Sequence, residues 1–554
     1  MADATLAAPA AETSASRPAW RGALRDLAVV AGLALVAALV RWPNVQVVPP
    51  YTDETEEAVR AWAIVQGELR PLVNVDSYIG ALWSYVVAAG FLVFGRNAEL
   101  PRLASLAAGA LTVGVTYLVG RRLFGPTAGL VAAILLAGNA AHVLVSSHVA
   151  WSNCVTPLFT TAAIWLLLRA LDRPGDPLRL GLAGLAWGLA LQTHPSVIAF
   201  LVGAAAYALW RDPRLPLRPG AWLALALLAV GYGNVLAYNL GSGFDTLTQA
   251  QRVGSEYAGG AGLDSWGYVA SVLGILMLIV HTTAGVVDPR MTAAEYLVDP
   301  RVLVALAGLV AALAWSVKQR EPLLLCLAVP VVLLIPALNQ RWSPILASRY
   351  IMPLVPVALV MVAGLIVALA GRRGASPRLV MGSAPGVAGL VVLVQLGGLW
   401  SYYQTEIAEG RSNDGPWRMV RLVEEQRRSR EPFVVHPDLH LLPTGGGGTW
   451  AKALDYLLEL EDIRKDVSPR DPDARLRACD VTAVVLRYAE RDERRRPARD
   501  EPRHERYWIA RQAPLAGERR EELGRVALEV PYSLPWRNRS LFDPRAPTFE
   551  TGCE

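Results

Sequence analysis

Long apolar runs separated by short polar segments make up the first 400 residues of the chain. Eleven of these runs are long enough to cross a bilayer as helices and agree with the charge pattern given below. They cover residues 24–42, 99–120, 125–147, 152–171, 180–194, 195–210, 220–240, 301–317, 321–338, 350–371 and 379–400. The pattern predicts a mainly α-helical, polytopic membrane domain over residues 21–401.

Two further apolar stretches, residues 78–94 and 266–287, would raise the number of spans to thirteen. Cytoplasmic loops are enriched in Lys and Arg, and the basic clusters of this chain share one side only if these two stretches do not cross. The clusters are Arg21/Arg25, Arg121/Arg122, Arg169 to Arg179, Arg211 to Arg218, Lys318/Arg320 and Arg372/Arg373. We therefore expect eleven spans, a cytoplasmic N-terminus, and amphipathic or re-entrant helices in two outer loops, residues 43–98 and 241–300.

The N-terminal residues 1–20 are rich in Ala, Ser and Thr and are expected to form a disordered cytoplasmic segment. The apolar run 27–40 leads directly into Arg41-Trp42-Pro43 without a convincing cleavage site of small residues. This favours an uncleaved first span over a secretory signal.

The C-terminal residues 402–554 are charged and rich in proline. Strand-like segments at 433–435 and 481–486 and a helix-like segment at 451–460 predict a small extracytoplasmic α/β domain. The glycine run 445–448 is not interpreted as a phosphate loop, because the Gly-Lys-Ser/Thr order is absent.

Composition narrows the class of protein. Hydrophobic residues make up 53% of the chain. The chain has 53 Lys and Arg and 48 Asp and Glu residues, and 55 of these 101 charged residues lie after position 400. The net charge of +5 is not gathered on a polar face, which argues against nucleic acid as a partner. Cys154, Cys326, Cys479 and Cys553 lack the spacing of a zinc site or a disulfide framework. Cys479 and Cys553 can be either a pair or free thiols.

An acidic segment, residues 51–57, follows Pro49-Pro50 in the first outer loop. One interpretation is structural, with Thr52 or Asp53 capping a helix whose first turn favours carboxylates. The other interpretation makes Asp53 a general base. A lipid phosphate is a good leaving group, so one carboxylate that takes the acceptor's proton is sufficient, and single displacement inverts the anomeric carbon.

Two arginines and two histidines fall at outer ends of the predicted spans. Arg349 and Arg341 are candidates for binding a lipid phosphate, with an interfacial snorkelling arginine as the alternative. His194 and His148 are candidates for lining a cavity, with a hydrogen-bonded structural histidine as the alternative.

Residues 24–400 resemble the GT-C glycosyltransferases, and the branch of protein O-mannosyltransferases and lipid A aminoarabinose transferases most of all. The similarity rests on Asp53-Glu54 in the first outer loop, on the elements 95–102 and 121–125, and on Arg349-Tyr350 followed by two prolines. It implies a glycosyltransferase of the bacterial cytoplasmic membrane that uses a polyprenyl-phosphate sugar and needs no metal or other cofactor. Its acceptor would be a lipid, a glycan or a protein.

The resemblance also implies site residues. Asp53 matches the catalytic aspartate with Glu54 as its neighbour, and Arg349, Tyr350 and Arg341 are expected at the donor phosphate. Where protein mannosyltransferases carry an Arg and, five residues later, an acidic residue, this chain has His148 and Asn153.

That departure leaves the acceptor class open and makes an inactive GT-C-like protein an alternative. A transporter or lipid-linked glycan flippase is another alternative. Transporters commonly carry an internal repeat and intramembrane carboxylates, neither of which is evident in this sequence.

Overall fold

A computed structural model of the chain describes most of the membrane domain and four segments of the tail. The described residues are 19–45, 47, 52–257, 265–287, 295, 298–338, 344–371, 377–408, 433–437, 482–490, 503–513 and 517–528. The membrane domain is helical throughout these ranges apart from turns and one isolated β-bridge, between Val73 and Gly80.

The helices follow one another with short connections. In chain order they are α1 (Ala19–Arg41), α2 (Thr52–Val65), α3 (Leu82–Phe94), α4 (Leu100–Phe124), α5 (Pro126–Ala137), α6 (Ala140–Val145), α7 (Thr156–Leu171), α8 (Pro177–Thr193), α9 (Val197–Arg211), α10 (Pro219–Gly231), α11 (Gly233–Ser242), α12 (Asp245–Tyr257), α13 (Ser265–Ala284), α14 (Pro300–Lys318), α15 (Leu323–Leu338), α16 (Pro344–Ile351), α17 (Leu354–Gly371) and α18 (Pro377–Ala408). Short 3-10 turns occur at Ser152–Val155 and Leu215–Leu217.

The core lies between α4, α5, α7, α8, α9, α15 and α17, where apolar side chains are fully buried. Examples are Leu136, Ile164, Phe200 and Leu327. On the periphery, α18 leaves Leu390 and Leu393 exposed, as expected for a helix that faces lipid.

The helix ends form two groups. The group that contains the start of α2, the end of α8 and residues 146–155 is called the site end, and the other group is called the opposite end. At the opposite end, ion pairs join the start of α1 to the end of α4, the end of α4 to the turn after α7, and the end of α9 to the start of α15. The pairs are Arg121–Asp26, Arg122–Asp172 and Arg211–Glu321. The ring of Phe124 also lies 5.0 Å from that of Trp315 near the end of α14. Basic clusters from five of the predicted cytoplasmic segments therefore lie together.

Six described helices are long and apolar enough to cross a membrane, or seven if α10 and α11 count as one broken span. The predicted single span over 220–240 differs from the structure, because α10 and α11 meet at an angle of 65°. Asn234 at the start of α11 donates to Leu72 O (2.7 Å) and to Gln192 Oε1 (2.9 Å). These bonds tie α11 to the loop before α3 and to α8, across the site end.

The two stretches expected not to cross form helices of different length. Helix α3 has 13 residues and rises only about 20 Å, less than a bilayer core. Helix α13 has 20 residues, which is long enough. However, Tyr268 near its start donates to Leu333 O of α15, and Thr282 O near its end accepts from Asn139 before α6. Both ends of α13 thus contact the half of the bundle nearest the site end.

The described part of the tail contains a four-stranded sheet in the order β1 (Phe433–Pro437), β2 (Thr482–Glu490), β3 (Arg503–Ala513) and β4 (Gly517–Leu528). Strand β1 pairs with β2 in parallel, and the other pairs are antiparallel. The predicted strands fall in β1 and β2, whereas β3 and β4 were not predicted. The predicted helix 451–460 and the glycine run 445–448 lie outside the described residues.

Candidate functional site

The acidic segment of the first loop forms the start of α2. Thr52 is the first helical residue and Asp53 lies in the first turn, near the positive end of the helix dipole. The side chains of Thr52 and Asp53 lie outside the described part of the structure.

Glu54 forms a bidentate ion pair with Arg102 of α4. Arg102 Nε lies 2.5 Å from Glu54 Oε1, and Arg102 Nη2 lies 3.0 Å from Oε2. Arg102 also donates to Val45 O at 3.0 Å, and both side chains are buried. The pair fixes the first turn of α2 against α4 and against the segment that leaves α1.

Glu57, one turn further along α2, is also buried. Its Oε1 accepts from Asn74 Nδ2 at 2.7 Å, and its Oε2 accepts from the backbone N–H of Ser152 at 2.9 Å. Asn74 Oδ1 in turn accepts from Ser84 Oγ of α3 at 3.1 Å. Glu57 therefore joins α2 to the first loop and to a segment almost 100 residues away.

That segment, residues 146–155, lies between α6 and α7 and is called here the site turn. Ser105 of α4 donates to Val149 O (2.9 Å), and Trp83 of α3 donates to Ala150 O (3.0 Å). With the bond from Ser152 to Glu57, three successive helices hold the backbone of the site turn.

Arg349 packs on the other side of the site turn. Its guanidinium carbon lies 4.2 Å from the ring centroid of Trp151, and its Nη2 donates to Tyr350 Oη at 2.8 Å. The Tyr350 ring is 5.0 Å from the His194 ring at the end of α8. The structure thus brings Arg349, Tyr350 and His194 together, as the sequence predicts for a shared site.

His148 is fully buried in the site turn. Its Nε2 lies within hydrogen-bond distance of Tyr403 Oη of α18, at 2.8 Å, and the two rings stack. Burial, and then the charge of Arg102, lowers the pKa of His148 to about 3, so the imidazole is neutral. His148 links α18, which precedes the tail, to the site turn.

Asn153 is 7% exposed, and its Oδ1 accepts a weak bond from Cys154 Sγ at 3.8 Å. Arg341, Cys479 and Cys553 lie outside the described residues. Across the part of the chain that the structure describes, no three His, Cys, Asp or Glu side chains form a group suited to a metal ion.

Sequence reasoning did not identify Glu57, Asn74 or Trp151 as site residues. The only available signal was the spacing of four between Asp53 and Glu57, which places both positions on one face of a helix.

Comparison with known proteins agrees with this architecture. Residues 80–236 match the family model described as dolichyl-phosphate-mannose-protein mannosyltransferase. The crystal structure of ArnT from Cupriavidus metallidurans bound to undecaprenyl phosphate superposes with a TM-score of 0.51, covering 84% of this chain and 93% of that chain at 14% identity. The chain has the fold of this ArnT structure.

The other matches are to a second ArnT structure and to a relative that is similar over part of its sequence. The apo ArnT structure gives a TM-score of 0.50 at 15% identity over the same shares of the two chains. The undecaprenyl phosphate-α-4-amino-4-deoxy-L-arabinose arabinosyl transferase of Pseudomonas aeruginosa is 35% identical over 157 residues, which are 26% of this chain. The match spans 28% of that relative's length. The family model includes the site turn and His194, but its range excludes Asp53 and Arg349.

Proposed function

We propose that this GT-C protein is an inverting glycosyltransferase that moves a sugar from a polyprenyl-phosphate donor to an acceptor at the outer face of the bacterial cytoplasmic membrane. The Pseudomonas aeruginosa relative is named for transfer from an undecaprenyl phosphate donor, and the superposed ArnT structure holds undecaprenyl phosphate. Undecaprenyl phosphate sugars are therefore the donors to test first.

One observation carries the proposal. Trp151 contacts Arg349, and the adjacent Ser152 donates a hydrogen bond to Glu57 of α2. The helix that bears Asp53 and the arginine expected at the donor phosphate are thus separated by a single dipeptide, although Asp53 and Arg349 are nearly 300 residues apart in sequence. A carboxylate that accepts a proton and a cation that binds phosphate must share a site for this reaction.

The site residues have different roles in the proposed transfer. Asp53 takes the proton of the acceptor nucleophile, which attacks the anomeric carbon. The bond between this carbon and the phosphate oxygen breaks, and the lipid phosphate leaves as an anion. Arg349, with Tyr350 and Arg341, stabilises that anion. Glu54, already bound to Arg102, positions the first turn of α2, and His194, His148 and Asn153 shape the cavity.

We further propose eleven spans, with the site end outside. Ion pairs gather the basic clusters at the opposite end, which is the cytoplasmic one by charge bias. Both ends of helix α13 contact the half of the bundle nearest the site end, which supports a helix that does not cross. The N-terminus is then cytoplasmic, and the tail forms an extracytoplasmic domain.

The decisive test replaces Asp53 by Asn, which keeps the size of the side chain and removes its basicity. In native membranes supplied with undecaprenyl phosphate sugars, the wild type should release undecaprenyl phosphate. Asp53→Asn should slow the release at least about 100-fold, the loss expected for a general base.

The matched control is Glu68→Gln, which removes an exposed carboxylate just after the same helix. It should release undecaprenyl phosphate at the wild-type rate. Wild-type release by Asp53→Asn would contradict the proposed mechanism. Movement of lipid-linked sugar across vesicles that survives Asp53→Asn would instead identify a flippase.

A further inference from the structure

Glu57 is a buried carboxylate with both oxygens bound by donors from other elements. Asn74 of the first loop approaches Oε1, and Ser152 of the site turn approaches Oε2. Glu57, Asn74 and Ser152 are each no more than 5% exposed, so these bonds form away from water and their geometry is well defined.

The first loop is itself fixed on its far side. Ser84 Oγ of α3 donates to Asn74 Oδ1, and Gly80 N donates to Gln192 O of α8 at 2.9 Å. Ser77 Oγ donates to Gln249 Oε1 of α12 at 2.5 Å. Asn74 is therefore a rigid support for the Glu57 carboxylate.

Glu57 and its partner Ser152 lie next to the residues of the proposed reaction. Position 53 is one turn before position 57 on the same face of α2, and Ser152 directly follows Trp151, on which Arg349 packs. A shift at Glu57 thus changes the separation between the Asp53 helix and the Arg349 guanidinium.

We propose that Glu57 is a positioning residue, which holds the base-bearing helix and the phosphate-binding arginine at a fixed separation through the site turn. This inference rests on the proposed function and extends it to a residue that takes no part in bond making. Reacting groups need positions accurate to within about 1 Å, and a displacement of that size costs up to about 100-fold in rate.

The test exchanges the hydrogen-bonding roles of Glu57 and Asn74. Glu57→Gln alone sets an amide NH₂ against one of two donors, and Asn74→Asp alone sets two carboxylates against each other. Each single variant should release undecaprenyl phosphate about 10-fold to 100-fold more slowly, mainly through kcat. In the double variant, the new amide donates to the new carboxylate and still accepts from Ser152, so the rate should return close to that of the wild type.

The double variant separates positioning from direct chemistry. Rescue at an unchanged pH profile supports positioning, because the charge has moved to position 74 while the geometry is kept. A double variant as slow as the single variants overturns the inference. So does a wild-type rate in Glu57→Gln while Asp53→Asn is inactive, a result that leaves the proposed function standing.

A binding measurement decides the inference even without transfer. The dissociation constant for undecaprenyl phosphate should rise several-fold in Glu57→Gln and recover in the double variant, because Trp151 supports Arg349. If the wild type binds this lipid but transfers no sugar, the proposed function fails. Weaker binding in Glu57→Gln that recovers in the double variant would still support the link from Glu57 to Arg349, whereas binding as tight as that of the wild type would overturn the inference.

Discussion

Buried ionisable side chains at the site end occur in networks whose members are mostly far apart in sequence. Glu54 meets Arg102 48 residues later, and Glu57 meets Ser152 95 residues later. The acidic segment could be recognised in the sequence because its acidic residues are close neighbours along the chain. It did not identify the role of Glu57, because that role depends on a partner brought close only by folding.

The pair of Glu54 and Arg102 should be important for stability. Arg102→Ala leaves a buried carboxylate without its cation, and breaking such a pair costs about 3–5 kcal/mol. We expect a large drop in the apparent Tm of the detergent-solubilised protein. Measurement of thermal unfolding for wild type and variant checks this expectation.

Arg121→Ala is the matched control at the opposite end. It breaks the ion pair with Asp26. The side chains of Arg121 and Asp26 are 36% and 25% exposed, and ion pairs at the surface contribute only about 0–1 kcal/mol to the free energy of unfolding. The double variant Glu54→Leu/Arg102→Met should regain much of the stability lost in Arg102→Ala, because it leaves no buried charge unpaired. Equal Tm values for Arg102→Ala and Arg121→Ala would contradict the structural role of the pair.

Helices were predictable as elements, but their breaks were not. Hydropathy placed most helices within a few residues of their observed bounds, because an apolar helix is recognised from its own composition. The break between α10 and α11 depends instead on bonds from Asn234 to other elements, which no local pattern contains. Hydropathy also did not predict which helices pack closely against each other.

Helices α8 and α10 pack with their backbones in close contact at two glycines of α8. A Cβ atom at Gly184 would lie 2.0 Å from Ala224 O, and one at Gly188 would lie 2.3 Å from Leu228 O. Gly184→Ala must therefore separate the two helices, and overpacking of this kind costs about 1–3 kcal/mol. We expect a lower apparent Tm and a smaller fraction of monodisperse protein in size-exclusion chromatography.

Gly308→Ala on α14 is the control for the same chemical change. No atom lies within 4 Å of a Cβ at this position, and alanine favours the helix more than glycine does. Its Tm should equal or exceed that of the wild type. If Gly184→Ala were as stable as Gly308→Ala, the close packing of α8 on α10 would be wrong.

Across the whole molecule, charge distribution was the most informative property of the sequence. It grouped basic clusters that the structure indeed places at one end, through pairs such as Arg122–Asp172. The tail was less predictable, because β3 and β4 contain alternating charges that resemble a solvated segment.

The proposed topology can be tested by cysteine labelling in spheroplasts, after the four native cysteines are replaced by serine. Thr248→Cys and Glu295→Cys flank α13, and both positions are exposed. If α13 returns to the site end, a membrane-impermeant maleimide should label both from outside. Arg173→Cys and Arg214→Cys, exposed at the opposite end, should react only after permeabilisation and serve as controls. Labelling of Thr248→Cys without Glu295→Cys would mean that α13 crosses the membrane. The eleven-span arrangement would then be wrong, because the 20 residues of α13 would form a further span.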